Sequence, residues 1–333
     1  MSSRQERREA RILRLKQRFP SKNKNKKAAA ETIVSRGLAN HIAKQVLARS
    51  AKGAAKWLKR RILPALPESS DWYKCCRKLA RFLEIADNAE TGLRDVAFDV
   101  FKDSGNVKLP FCSFSVLPGF TCPGAGSCLK FCYSFTAWRY PAAFFRQLQN
   151  TVLIRDRKDI VRNAFLSIKQ DRSVRLYVDG DIEDVEQLEF WFRTMGERPD
   201  LACYGYSKSW EVFLSADVQA PANYCLNLSA GSKYDNSPDI LERMESLKAV
   251  DGTNVARGRF VGVDVHGQGF PNSMMQRVEL PEYHQAVRES AREEHGTPKV
   301  FSCPGPCGEC NLNRGKHACG DKSFPVLIAL GIH

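Results

Sequence analysis

Beyond residue 105 the chain alternates short runs of β-branched and aromatic residues with longer amphipathic segments, and this alternation constrains the fold more than any other feature. Strands are expected at 110–117, 174–179, 202–206, 223–228, 259–265, 299–301 and 326–330, with helices at 137–168, 185–195, 238–248 and 281–294. Strands separated by helices of this length pair in parallel, so the expected fold class is α/β: a partial parallel (β/α) barrel or an open parallel sheet with a basic helical N-terminal extension.

In such folds ligands collect where strands end at their carboxyl side. The polar groups of this sequence fall there. After successive strands come Cys122, Cys128 and Cys132; Asp179, Gly180 and Asp181; Ser207, Lys208 and Ser209; Ser229; Asp264 and His266; and Cys303, Cys307 and Cys310. One rim is expected to carry both cysteine groups.

The charge is equally uneven. Residues 1–62 hold 19 Lys and Arg against Glu6, Glu9 and Glu31, whereas the whole chain has a net charge of +14, so the remainder is nearly neutral. The first 27 residues read as a solvated arm, and 28–62 as an amphipathic basic helix ended by Pro64 and Pro67. Such a segment neutralises phosphates on any sequence, which makes nucleic acid the expected partner. A solvated helix that only aids solubility, or an Arg-rich transit peptide, is the competing reading. The expected domains are the basic arm at 1–62, a helical connector at 63–104 and a cysteine-rich α/β metal-binding domain at 105–333.

No apolar run approaches the roughly 18 residues needed to cross a bilayer, and no charged-then-apolar leader opens the chain. No membrane partner and a cytoplasmic location are therefore expected. Twelve cysteines in a reducing compartment point to metal or catalysis rather than to disulfides. Cys122-Pro-Gly-Ala-Gly-Ser-Cys128-Leu-Lys-Phe-Cys132 places three thiols in a Gly/Pro-rich loop, one ligand short of saturating an iron–sulfur cluster. Cys303-Pro-Gly-Pro-Cys307-Gly-Glu-Cys310, followed by Cys319, offers four thiols for a second cluster or for tetrahedral zinc. His317 is a ligand candidate with a surface histidine the competing reading, Cys75 and Cys76 read as buried or incidental thiols, and Cys112, Cys203 and Cys225 read as core residues.

Asp179-Gly180-Asp181 offers two carboxylates and a glycine that permits close approach, with Asp181 as a helix cap the competing reading. Lys208 completes the candidate catalytic set with Asp179 and Asp181, while Gly180, Ser207 and Ser229 are the candidate cofactor contacts. Tyr204-Gly-Tyr-Ser-Lys-Ser-Trp210 packs aromatics, hydroxyls and a cation into seven residues, suited either to stacking a base or to filling the core.

These pieces resemble the gene product 88 family of bacteriophages and conjugative plasmids. The likeness rests on Cys122-Pro-Gly-Ala with Cys128 and Cys132-Tyr133; Arg139, Arg146 and Asn150; Val174-Arg-Leu-Tyr-Val-Asp-Gly-Asp181; Trp191 and Pro199; Tyr204 to Trp210; and the closing cysteines. It implies an architecture rather than a reaction. A looser resemblance is to radical S-adenosylmethionine enzymes, which carry three cysteines after the first strand of a partial barrel and a glycine-acid motif after the second. Their Cys-x3-Cys-x2-Cys spacing differs from the Cys-x5-Cys-x3-Cys found here. Two functions are thus expected to compete: an iron–sulfur enzyme acting on nucleic acid or a nucleoside, with S-adenosylmethionine as a candidate small-molecule cofactor, or a non-catalytic, metal-stabilised nucleic-acid-binding accessory protein.

Overall fold

The computed structural model describes residues 36–102, 111–130, 132–265, 267–271, 274–277, 279–305, 311–313, 316–324 and 326–332. They fall into two units. One takes the chain up to Val100 with Val116–Pro118 and Cys132–Ala164, and the other takes Phe101–Ser115, Gly119–Phe131 and Phe165–His333.

The first unit is helical. Its helices α1 (Arg36–Leu47) and α2 (Ala51–Trp57) come from the basic segment and α3 (Asp71–Ile85) from the connector, and each has one apolar side. Ser50 divides the expected helix at 28–62 by capping α2, its Oγ accepting the Gly53 amide at 3.3 Å. Ser70 caps α3 in the same way, accepting from Tyr73 N at 3.1 Å. Leu38, Ile42, Val46, Ala54, Ala55, Leu79 and Leu83 are buried, whereas the cations of these helices point outward. The helical part of the basic segment is thereby anchored in a core.

Helix α4 (Pro141–Asp156) buries Gln147, Gln149, Asn150 and Thr151 beside its apolar residues. Each amide or hydroxyl has a task, as buried polar groups require. Gln149 takes both backbone bonds of Phe98, accepting from N at 3.0 Å and donating to O at 2.7 Å. Asn150 donates to Val100 O at 2.9 Å, and Thr151 accepts the Leu117 amide at 3.0 Å. The expected single helix at 137–168 breaks at Arg157, whose backbone leaves the helical region (φ −140°, ψ 56°), and α5 (Lys158–Leu166) follows. Its guanidinium binds the carbonyls of Ala86, Asn88 and Thr91 and both carboxylate oxygens of Asp159.

The second unit is an open sheet of seven parallel strands in the order β1-β2-β3-β4-β5-β9-β6. The strands are β1 (Cys112–Ser113), β2 (Ser173–Leu176), β3 (Ala202–Ser207), β4 (Tyr224–Ser229), β5 (Ala256–Asp264), β6 (Val300–Ser302) and β9 (Leu327–Ile332). All seven expected strands are found, with shifted ends. A short antiparallel hairpin, β7 (Asn311–Asn313) and β8 (Lys316–His317), lies between β6 and β9. Helices α6 (Val185–Gly196), α7 (Trp210–Leu214), α8 (Pro238–Ser246), α9 (Met274–Arg277) and α10 (Pro281–His295) complete the unit.

The register sorts side chains onto two faces, because neighbours across parallel strands point the same way. Leu176, Gly205, Leu226 and, further along, Val261 and Ala329 share the face that meets Trp191 of α6 and Tyr283 and Val287 of α10. Arg175, Tyr204, Cys225, Phe260 and Ile328 share the other. There the segment Ala318–Gly320 covers the sheet, and Ala318 and Cys319 cluster with Phe111, Tyr204, Cys225 and Ile328. Among the described residues no helix is long and apolar enough to cross a membrane.

Candidate functional site

The loops that leave β1, β2, β3 and β4 interlock at the carboxyl rim of the second unit. Asp181, 4% exposed, is the central acceptor: Oδ2 takes the Lys208 amide and Oδ1 the Ile182 amide, each at 2.8 Å, and the Ser207 hydroxyl also bonds the carboxylate. Burial pushes its pKa up, against the pull of these donors. The cap reading is overturned. Helix α6 is capped by Asp184, whose Oδ1 accepts the Gln187 amide at 2.8 Å, because Asp181 is spent on the neighbouring loop. Gly180 supplies the left-handed turn (φ 78°) that brings Asp181 inward, and the half-buried Asp179 precedes it.

Lys208 reaches across the rim, its Nζ donating to Ser229 Oγ at 2.6 Å at the end of β4. Ser207 Oγ accepts the Ser209 amide at 2.9 Å, and Trp210 Nε1 donates to Ser207 O at 3.0 Å, fixing the tight turn that aims Lys208. Of the same motif, Tyr204 is a core side chain and the partly buried Tyr206 packs against that core. Arg175 lies 4.5 Å over the Tyr206 ring, and the Tyr206 hydroxyl bonds the Cys319 thiol.

The cysteine loop is seated on this platform by its glycines. Gly126 N donates to Gly231 O at 2.9 Å, Lys233 N to Gly124 O at 3.0 Å, and Ser232 Oγ to both Gly124 O and Lys208 O at 3.1 Å. A Cβ on Gly124 would stand 1.7 Å from Lys208 O, and one on Gly126 would stand 2.7 Å from Lys233 N. The glycines between Cys122 and Cys128 are therefore the condition for the loop to touch the β3 and β4 turns. Thr121 Oγ1 accepts the Asp181 amide at 3.4 Å, tying the same loop to β2.

Two of the predicted ligands carry a further feature. Gly119 N donates to Cys122 Sγ, and Gly305 N to Cys303 Sγ, both at 3.4 Å, and both glycines have positive φ. Cys122, Cys128 and Cys303 are half-buried. Cys319 is buried against β3 and β4, held by Asn227, whose Nδ2 donates to Cys319 O at 2.8 Å. Cys132 belongs to the helical unit, where it is half-buried. Cys307, Cys310, His266 and the His317 side chain lie outside the described residues, as does the arm up to residue 35. Among the described residues no three His, Cys, Asp or Glu side chains are grouped as the ligands of one metal ion. Cys76, Cys112, Cys203 and Cys225 are core thiols, as expected, and burial pushes the pKa of Cys225 up to about 12.

Sequence reasoning missed the turn after β4, Gly231-Ser232-Lys233-Tyr234-Asp235, which clamps the cysteine loop. Gly231 (φ 84°) donates to Asp235 Oδ2 at 2.7 Å, and its missing Cβ would stand 2.8 Å from that of Cys128. The signal was a Gly-Ser pair one residue beyond the end of a strand. It also missed Arg257, a buried cation at a bulge between β4 and β5. Its Nε donates to Asn227 Oδ1 at 2.8 Å, and Nη1 donates to Phe324 O and Val326 O. The bulge turns it toward the covered face, and Arg and Asn inside otherwise apolar strands were the sign.

An open parallel sheet whose carboxyl-end loops bring together half-buried thiols, a lysine, serines and a buried aspartate defines an α/β protein with a polar rim, the place where such sheets offer a candidate site. The chain belongs to the gene product 88 family, whose model matches residues 77–314. Neither the curated proteins nor the solved structures yield a match to it.

Proposed function

We propose that this gene product 88 protein is an iron–sulfur enzyme of a mobile genetic element that acts on nucleic acid or a nucleoside at the carboxyl rim of its sheet. The rim thiols Cys122 and Cys128 of the first cysteine motif would ligate a cluster, and those of the closing motif a second centre, with zinc the alternative metal. The observation that carries the reading is the pair of backbone N–H groups aimed at Cys122 and Cys303. A donor to sulfur stabilises the thiolate more than the thiol, and the thiolate is the form that ligates metal. Lys208 and Asp179 are the rim groups suited to a carboxylate and an amine, the pair that S-adenosylmethionine presents, while Asp181 positions the Lys208 turn.

The complete engagement of Asp181 by backbone and hydroxyl donors favours a second reading, in which the metal only folds the rim of a nucleic-acid-binding accessory protein. Anaerobic purification separates the two. Brown protein containing iron and sulfide, with broad absorbance at about 400 nm, supports the enzyme. Colourless protein with stoichiometric zinc supports the accessory role, and protein free of both metals overturns both.

A further inference from the structure

We infer that α3 presents a docking face for double-stranded DNA, formed by Lys74, Arg77, Lys78 and Arg81. The inference rests on the nucleic-acid part of the reading above, adds the surface that makes the contact, and places it outside the 1–62 segment. The four residues stand at i, i+3, i+4 and i+7 of one helix, so they share one side, and all four are exposed. The opposite side is apolar and buried through Trp72, Cys76, Leu79, Ala80, Phe82 and Leu83.

Like charges at these spacings oppose helix formation, and the sequence places no acid between Asp71 and Glu84 to relieve them. Asp71 lies 3.6 Å from Lys74, and Glu84 is bonded to Lys59 of the neighbouring turn. Exposed Arg60 and Arg61, which follow Lys59 in the same turn, add positive charge beside that ion pair. Arg77 lies 5.7 Å over the Tyr73 ring. A polyanion is the complement of such a face.

The chemistry of the face selects among polyanions. A helix that enters an anionic membrane needs an exposed apolar side, and the apolar side of α3 is already buried. A single strand needs exposed rings on which bases stack, whereas Trp72 and Phe82 are buried and Tyr73 lies half-buried under Arg77. The deep, narrow major groove of an RNA duplex excludes a helix. The roughly 12 Å major groove of B-DNA admits a helix about 10–12 Å across. The four cations span about 10 Å along the axis and would meet the phosphates at its edge.

The test measures binding of the full chain to a short mixed-sequence DNA duplex over a range of salt. It compares wild type with a variant carrying Lys74→Gln, Arg77→Gln, Lys78→Gln and Arg81→Gln. A charge-matched control carries Lys169→Gln, Arg193→Gln, Arg243→Gln and Lys248→Gln. Glutamine keeps helix propensity, so circular dichroism should report an unchanged fold. Each lost phosphate contact lowers the slope of log affinity against log salt by about 0.9, so the α3 variant should lose a slope of about 3–4 and more than tenfold in affinity at low salt, while the control matches wild type. Wild-type affinity and slope in the folded α3 variant would overturn the inference while leaving the nucleic-acid reading intact. So would tighter wild-type binding to single strands, RNA duplex or anionic vesicles. Failure of wild type to bind any nucleic acid would instead overturn the reading beneath it.

Discussion

The amide of Lys208 donates to Oδ2 of Asp181 at 2.8 Å, joining the loop after β3 to the loop after β2 through a buried carboxylate. Asp181→Asn leaves one acceptor oxygen where two backbone donors now converge. The orphaned amide should cost about 1–3 kcal/mol, and Asp181→Ala should cost more. Burial raises the pKa of this carboxyl, so between the ordinary carboxylate value and the raised one the folded chain keeps a proton that the unfolded chain has released. Its contribution to stability must fall as pH rises through that interval. Urea titrations across the acid range should show a flatter pH dependence for Asp181→Asn than for wild type. Equal midpoints for the two proteins throughout would contradict the role.

Gly124 has no room for a methyl group, since a Cβ would meet the backbone of Lys208, which cannot rotate away as a side-chain tip would. Gly124→Ala should detach the cysteine loop, with a loss of about 1–3 kcal/mol typical of overpacking. Hydrogen exchange should rise at the Lys233 amide, which now bonds Gly124 O. Gly92→Ala, where nothing stands within 4 Å of the new Cβ, is the silent control. Unchanged exchange at Lys233 in Gly124→Ala would refute the seating of the loop.

Much of this architecture was readable because period and spacing report it directly. The strand Tyr224–Ser229, buried on both faces, appears as a largely apolar run interrupted by Asn227, and Pro238 and Pro281 mark helix starts. The gathering of Asp181, Lys208 and Ser229 followed from the rule that parallel strands end at one rim. What sequence could not give was the direction of each bond. Asp181 and Asp184 are both plausible caps by spacing, and only the neighbouring turn, 27 residues away in sequence, decides which one caps. The break at Arg157 is equally non-local, because its partners Ala86, Asn88 and Thr91 lie far upstream.

Arg157 and Asp159 form a two-pronged pair at 2.9 and 2.7 Å, and the same Arg-x-Asp clamp recurs at Arg198 and Asp200. Arg157→Lys keeps the charge but not the fork, so the carbonyls of Ala86, Asn88 and Thr91 lose donors. A loss of about 1–3 kcal/mol is expected in thermal unfolding. The hydrogen bond from Arg157 holds the Asp159 pKa below its ordinary value, so the pair's contribution is present above the ordinary carboxylate pKa and is lost as pH falls through the lowered one. Asp159 is largely exposed, so that acid-side contribution is modest and should shrink with added salt. An acid limb identical in wild type and Arg157→Lys would rule out the coupling.

The central claim, that the rim thiols ligate metal, is tested most directly by counting iron, zinc and sulfide per chain in wild type, Cys122→Ala and Cys203→Ala after anaerobic purification. Cys203 is a buried core thiol whose pKa burial pushes up, so its variant reports what the loss of any cysteine does to the fold. The account predicts metal in wild type, wild-type content in folded Cys203→Ala, and the loss of about one site's worth in Cys122→Ala. Metal-free wild type, or undiminished metal in Cys122→Ala, would contradict it.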